Sequence, residues 1–139
     1  MLRNEEKPIG YWLKKIDLLL TQQIDEVHHN KGINRKGWQI LNTIKHKEKI
    51  KHTNLKELIK PLMNELEMNE ILKNFKDKNY IQDNETLSLT PDGILLFKEL
   101  SEMQQKIRMR TMNGISNDEY EIMMNTLKKI ARNLDEDIK

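Results

Sequence analysis

Apolar residues recur every three or four positions along most of this chain, and the breaks in that rhythm mark out six helices and one hairpin. Ile9, Trp12, Leu13, Ile16, Leu19, Leu20, Ile24 and Val27 keep the spacing from Pro8 to about Asn30, with Gly32 placed to stop the helix. Asn34 caps a second helix whose face is Trp38, Leu41 and Ile44, and a basic loop from His46 to His52 follows. Leu55, Leu58 and Ile59, then Met68, Ile71, Leu72 and Phe75, lie at helical spacing on either side of a break at Pro61 to Asn64. Asn64 and Glu67 form a capping box for the later of these two helices, which runs to about Lys78, where Asn79 ends it by tolerating the left-handed conformation. Tyr80 to Gln82 and Thr86 to Leu89 read as strands around Asp83-Asn84-Glu85. Thr90-Pro91 starts another helix, since threonine caps well and proline fits the first helical position. Ile94, Leu95, Phe97, Leu100, Met103 and Ile107 carry it to about Met112. After Gly114, Ser116 and Glu119 form a second capping box, opening a helix with Tyr120, Met123, Met124, Leu127, Ile130, Ala131, Leu134 and Ile138 on one side.

Two short helices joined tightly and followed by a hairpin make a winged helix-turn-helix. The fold class expected is therefore mostly α, with a short two- or three-stranded wing and terminal helices forming a dimerisation stem. Residues 1–32 read as an N-terminal dimerisation helix, 33–93 as the winged lobe and 94–139 as C-terminal dimerisation helices. Long apolar faces at both ends exceed what a small winged lobe can cover, so they are expected to pack on each other and on a second chain. The residues assigned to that contact are Ile9, Trp12, Ile16, Met123, Leu127, Ile130 and Leu134.

Composition narrows this further. At 139 residues and 37% hydrophobic content the chain is lean for a self-sufficient monomer. Net charge is only +2, but its distribution is uneven: Asn34 to Lys60 holds eight Lys or Arg against two Glu, and Pro61 to Asp92 three Lys against seven Asp or Glu. The absence of cysteine excludes disulfides, thiolate metal ligands and thiol redox sensing. There is no signal-peptide pattern or membrane span, and a cytoplasmic location is expected. His28-His29 point about 100° apart on a helix and do not share a metal-binding face. No nucleophile with a base partner and no glycine-rich phosphate loop is present, so neither enzyme activity nor a cofactor is expected.

The chain resembles the MarR family of bacterial transcriptional regulators. The resemblance rests on Asn34 to Leu41, on Asn54 to Leu58, on Phe75 to Ile81, and on Leu89-Thr90-Pro91-Asp92-Gly93, which is similar to that family's Leu-Thr-x-x-Gly. It implies a homodimer held by terminal helices, a recognition helix in the major groove of operator DNA, wings at the minor groove, and release of DNA by a small-molecule effector or other signal. The sequence also departs from the family. Seven residues separate Ile81 from Leu89 and none is arginine, so the wing is short and lacks the minor-groove arginine.

Candidate DNA-binding residues are Lys49 and Lys51 in the basic loop, Asn54 and Lys56 on the first motif helix, Glu67, Asn69, Glu70, Lys73 and Asn74 on the second, and Asn84 in the wing. Asparagine pairs with adenine, glutamate accepts from cytosine, and lysine holds phosphate. Leu66, Glu70, Lys73, Asn74 and Asp77 form the outward face of the second helix, and its carboxylates oppose phosphate binding. Two functions follow. One is a dimeric DNA-binding transcriptional regulator, a repressor. The other is a winged-helix dimer that has lost DNA affinity and acts as a protein-interaction or anti-repressor module through Glu65, Glu67, Glu70 and Asp77. Lys45 and Lys47 belong with the loop lysines, which serve either as phosphate contacts or as a solvated surface. Trp12 and Trp38 are expected in the core, and the methionines in an irregular dimer core.

Overall fold

Side-chain caps set several of the helix boundaries. A computed structural model describes residues 6–136, and its element order is α1 (Ile9–His28), a 3₁₀ turn (His29–Lys31), α2 (Arg35–Lys47), α3 (His52–Ile59), α4 (Glu65–Asp77), β1 (Ile81–Asn84), β2 (Thr86–Leu89), α5 (Pro91–Thr111) and α6 (Asn117–Glu136). Gly32, left-handed at φ 68°, ends the turn after α1. Asn34 Oδ1 accepts from the Gly37 N–H at 2.8 Å. Both capping boxes are formed: Asn64 Oδ1 accepts from Glu67 N–H at 2.8 Å while Glu67 Oε1 accepts from Asn64 N–H at 3.2 Å, and Ser116 and Glu119 exchange the equivalent bonds at 3.1 and 3.0 Å. Asn79 stops α4 with φ 62°.

The described residues fall into two units, the first ending at Ile107 and the second beginning at Arg108. In the first, Ile40, Leu41 and Ile44 of α2 form a core with Leu55, Ile59, Met68, Leu72, Phe75, Ile81, Leu87, Leu96 and Leu100. The wing is an antiparallel pair in which Ile81 faces Leu89 and Asn84 faces Thr86, so only Glu85, at φ 46°, lies between the strands. Ile50 adds a single bridge to Leu87, with N–H to O distances of 3.0 and 2.7 Å. Its alternation with charged neighbours in the lysine-rich loop gave no separate signal.

Several details depart from the sequence pattern. The basic loop is shorter, because α2 continues through Lys47 and α3 begins at His52; only Glu48 to Lys51 are left between them. Asp83, expected in the turn, belongs to β1. On α5 the buried positions are Gly93, Leu96, Leu100 and Ile107, whereas Ile94 and Leu95 are exposed. The cause lies at Gly93, where a Cβ would stand 2.0 Å from the Tyr80 carbonyl oxygen. That approach fixes the rotation of α5, and the inward positions then follow at i+3 and i+7. Leu58 is likewise exposed. Trp38 is half-buried and stacked on Phe97, with centroids 5.4 Å apart, but Trp12, expected in a core, is 49% exposed in the single chain.

In the second unit, the Arg108 guanidinium lies over the Tyr120 ring at 5.2 Å, and Gly114 turns the chain with φ 78°. Among its described residues α6 has none buried, and Ile122, Met123 and Leu134 are exposed. Ile138 lies outside the described residues. No described helix is long and apolar enough to cross a membrane.

His28 is wholly buried at the end of α1, edge-on to Trp38, with Gln104 Nε2 3.4 Å from its Nε2 and no partner for Nδ1 among the described residues. Desolvation lowers its pKa from 6.5, against the opposing pull of Asp25. As pH falls below 6.5 the unfolded chain takes up a proton that the native chain resists, so stability falls until the folded pKa is reached. Denaturant titrations should show lower stability at acid than at neutral pH, with a shallower dependence in His28→Leu. Equal slopes would refute the assignment. Gly93→Ala should destabilise the fold by about 3 kcal/mol, the upper range for overpacking, because the clash is with backbone.

Candidate nucleic-acid interface

α3 and α4 form the helix-turn-helix, with Lys60 to Asn64 as the turn. Met68, Leu72 and Phe75 bury one side of α4, which leaves Leu66, Asn69, Glu70, Lys73 and Asn74 exposed. Leu66, Glu70, Lys73 and Asn74, with Asp77, also exposed, are the outward face expected from helical spacing, and Asn69 flanks it. Asn84 is exposed at the end of β1.

The carboxylates of this lobe are less available than their number suggests. Glu67, expected to be free for base contact, has one oxygen on Lys36 of α2 and the other on the Asn64 N–H. The Lys36 bond is the leading cause of its lowered pKa, followed by the Asn64 bond. Glu65 is paired with Lys56 at 3.2 Å. Asp83, on the wing, takes His52 Nε2 at 2.9 Å on one oxygen and Lys76 Nζ at 3.2 Å on the other. Its carboxyl is held below the usual range chiefly by the His52 bond, with Lys76 adding to it against desolvation. Glu70 and Asp77 remain as carboxylates of α4 without an ion pair among the described residues. The continuous acidic face expected from Glu65, Glu67, Glu70 and Asp77 is therefore broken by internal cations.

The basic residues are arranged differently. Lys47, Lys49 and Lys51 line an open cleft of about 540 Å³ together with Ile50, Asn54, Glu57 and Leu58 and with Thr86 of β2. Lys45 is not among them, since its Nζ lies 5.5 Å over the Phe97 ring. Lys56 faces Glu65 across the turn, so it brings less free charge than the loop lysines. Sequence reasoning missed the tie joining His52, Asp83 and Lys76. The i, i+2 spacing of Ile81 and Asp83, which puts them on one side of a strand, was the available signal, obscured by reading Asp83 as turn.

Arg35 fixes the lobe to α1. Its guanidinium donates to Asp17 Oδ1 at 2.6 Å and Thr21 Oγ1 at 3.0 Å, and its N–H to Asp25 Oδ1 at 2.7 Å. Of the groups that bind metal, no cluster of three or more His, Asp or Glu exists among the described residues.

This arrangement of helices and wing recurs in solved structures. The reduced form of MarR from E. coli superposes with a TM-score of 0.76 over 91% of this chain and 96% of that one, at 17% identity. The chain has the MarR fold. The Mycobacterium tuberculosis MarR family protein Rv2887, in complex with DNA, gives a TM-score of 0.75 at 16% identity, covering 90% of this chain and 98% of that one. The transcriptional regulator PA3341 gives 0.82 at 15% identity, covering 93% and 99%. No protein-family model and no curated protein matches the sequence. At these identities it is the backbone fold that is shared.

The tie between α3, α4 and the wing should be measurable. Its members are partly exposed, so Asp83→Asn should cost only about 1 kcal/mol of global stability. Locally it should raise amide hydrogen exchange in residues 81–89 while leaving α2 unchanged. Unaltered exchange in the wing would show that the tie does not hold it.

Proposed function

We propose that the chain is a dimeric, DNA-binding transcriptional regulator that acts as a repressor by occupying an operator. The observation that supports this most is the lysine-lined cleft beside a helix-turn-helix in which Glu65, Glu67 and Asp83 are held by internal ion pairs. Lys49 and Lys51 contact phosphates with Asn54, α4 enters the major groove, and Asn84 lies at the wing's approach to the duplex. Such contacts are strongest as a symmetric pair, one per half-site. The DNA-bound Rv2887 structure supports this use of the fold. The protein-interaction alternative loses its main support, because its acidic face is interrupted by Lys36 and Lys56.

A dimer follows from the same reading. Ile9, Trp12 and Ile16 on α1 and Met123 and Leu134 on α6 are exposed in the single chain, while Leu127 and Ile130 are half-buried. A second copy covering these positions accounts for apolar faces that water would otherwise wet. Sedimentation at micromolar concentration should give a dimer, and Ile16→Asp or Leu134→Asp should yield monomer by placing an unpaired carboxylate at the contact. A monomeric wild type would contradict this. Duplex binding should weaken as salt rises, and Lys49→Ala with Lys51→Ala should flatten the log–log slope by about one unit for each phosphate no longer held, on any sequence. An unchanged slope would remove those lysines from the interface. No salt-dependent binding by the wild type would remove the function.

A further inference from the structure

Leu66 is the exposed residue of α4 that the fold least explains. It is the second residue of the helix, 69% exposed, and nine positions before the buried Phe75. At about 100° per residue those two side chains point about 180° apart, so Leu66 lies at the centre of the outward face. Asn69, Glu70, Lys73 and Asn74 stand around it, all exposed and none of them in an ion pair with another described residue. The lobe from Lys36 to Ile107 contains no arginine at all, and Arg35 is bound to Asp17 and Thr21 of α1. The commonest guanine contact, a bidentate arginine, is therefore missing from this surface. Lys73 can still reach guanine and Glu70 cytosine, but the centre of the face suits thymine and adenine: an apolar group for the thymine methyl and an amide for adenine N6 and N7.

We infer that Leu66 is a specificity-determining residue that seats against the C5-methyl group of a thymine in the major groove, with Asn69 one turn on reading adenine. The inference rests on the proposed DNA binding and adds the chemistry of the operator. The first turn of the second helix in a helix-turn-helix is the part that reaches base edges, and Leu66 occupies it. The capping box and the Lys36 to Glu67 pair hold that turn in place, so the leucine is presented on a rigid element. Its neighbour Glu70 discourages phosphate at the same point and leaves the base edge as the favourable contact.

The test uses the full-length protein and duplexes recovered from a random library. Each thymine of the recovered site is replaced in turn by deoxyuridine, which removes the methyl group and keeps the pairing. At one thymine per half-site, deoxyuridine should weaken wild-type binding roughly fourfold, the value of one buried methyl. Leu66→Ala should bind the thymine duplex more weakly by a similar factor and be indifferent to deoxyuridine there. Because Leu66 is exposed, thermal unfolding of the variant should match the wild type, which separates a weakened base interaction from a damaged fold. Equal deoxyuridine sensitivity of wild type and Leu66→Ala at every thymine would overturn the inference while leaving DNA binding intact. Failure of the wild type to bind any duplex, with Leu66→Ala abolishing capture of a protein partner instead, would overturn both.

Discussion

The close crossing of backbone at Tyr80 and Gly93 governs the winged lobe. Asn79 turns left-handed to end α4, and Tyr80 N–H then bonds back to the Phe75 carbonyl at 2.8 Å. The Tyr80 carbonyl accepts from Thr90 N–H at 3.0 Å, Thr90 Oγ1 donates to the Asn79 carbonyl at 2.6 Å, and the same hydroxyl accepts from Gly93 N–H at 3.0 Å. Three elements are thereby set by one knot: the end of α4, the base of the wing and the rotation of α5. Only glycine fits at position 93, because a Cβ there would stand 2.0 Å from the Tyr80 carbonyl oxygen. The direction in which α4 presents its outer face is a consequence of this geometry.

Local chemistry made most of the fold readable. The caps at Asn34, Asn64, Ser116 and Thr90, and the stop at Asn79, act within three or four residues and are written in adjacent positions. The rotation of α5 was not readable, because Ile94, Leu95, Leu96 and Phe97 satisfy several helical faces equally and the choice among them is made by Tyr80, thirteen residues away from Gly93. The same limit applied to charge. Glu65 and Glu67 read as exposed carboxylates on a helix, yet their partners come from α3 and from Lys36 of α2, thirty-one residues before Glu67. The outward stripe of α4 was legible by periodicity, but which of its members are free was decided by tertiary pairing. Trp12 shows a different limit: its apolar spacing is plain, yet that spacing does not say whether the chain's own core covers it, and here it does not.

Charge in this lobe is therefore local. A formal net charge of +2 gives little long-range attraction to a polyanion, and the field at the candidate interface depends on which groups are neutralised nearby. Pairing of Glu65, Glu67 and Asp83 removes negative charge beside α4 and the wing, and Lys47, Lys49 and Lys51, with no ion pair among the described residues, stand together at the cleft. The pairs are partly exposed and add little stability. Their consequence is electrostatic shape: lysines stand together at the loop, and α4 presents a mixed apolar and amide surface.

The central claim, that this lobe meets the duplex through the loop cleft and α4, is tested most directly by lysine acylation followed by mass spectrometry with and without bound DNA. Lys49, Lys51 and Lys73 should be protected by DNA, while Lys98, Lys106, Lys128 and Lys129, exposed on α5 and α6, should react at unchanged rates. Protection confined to the α5 and α6 lysines, or no change at Lys49, Lys51 and Lys73 when DNA is saturating, would contradict the account.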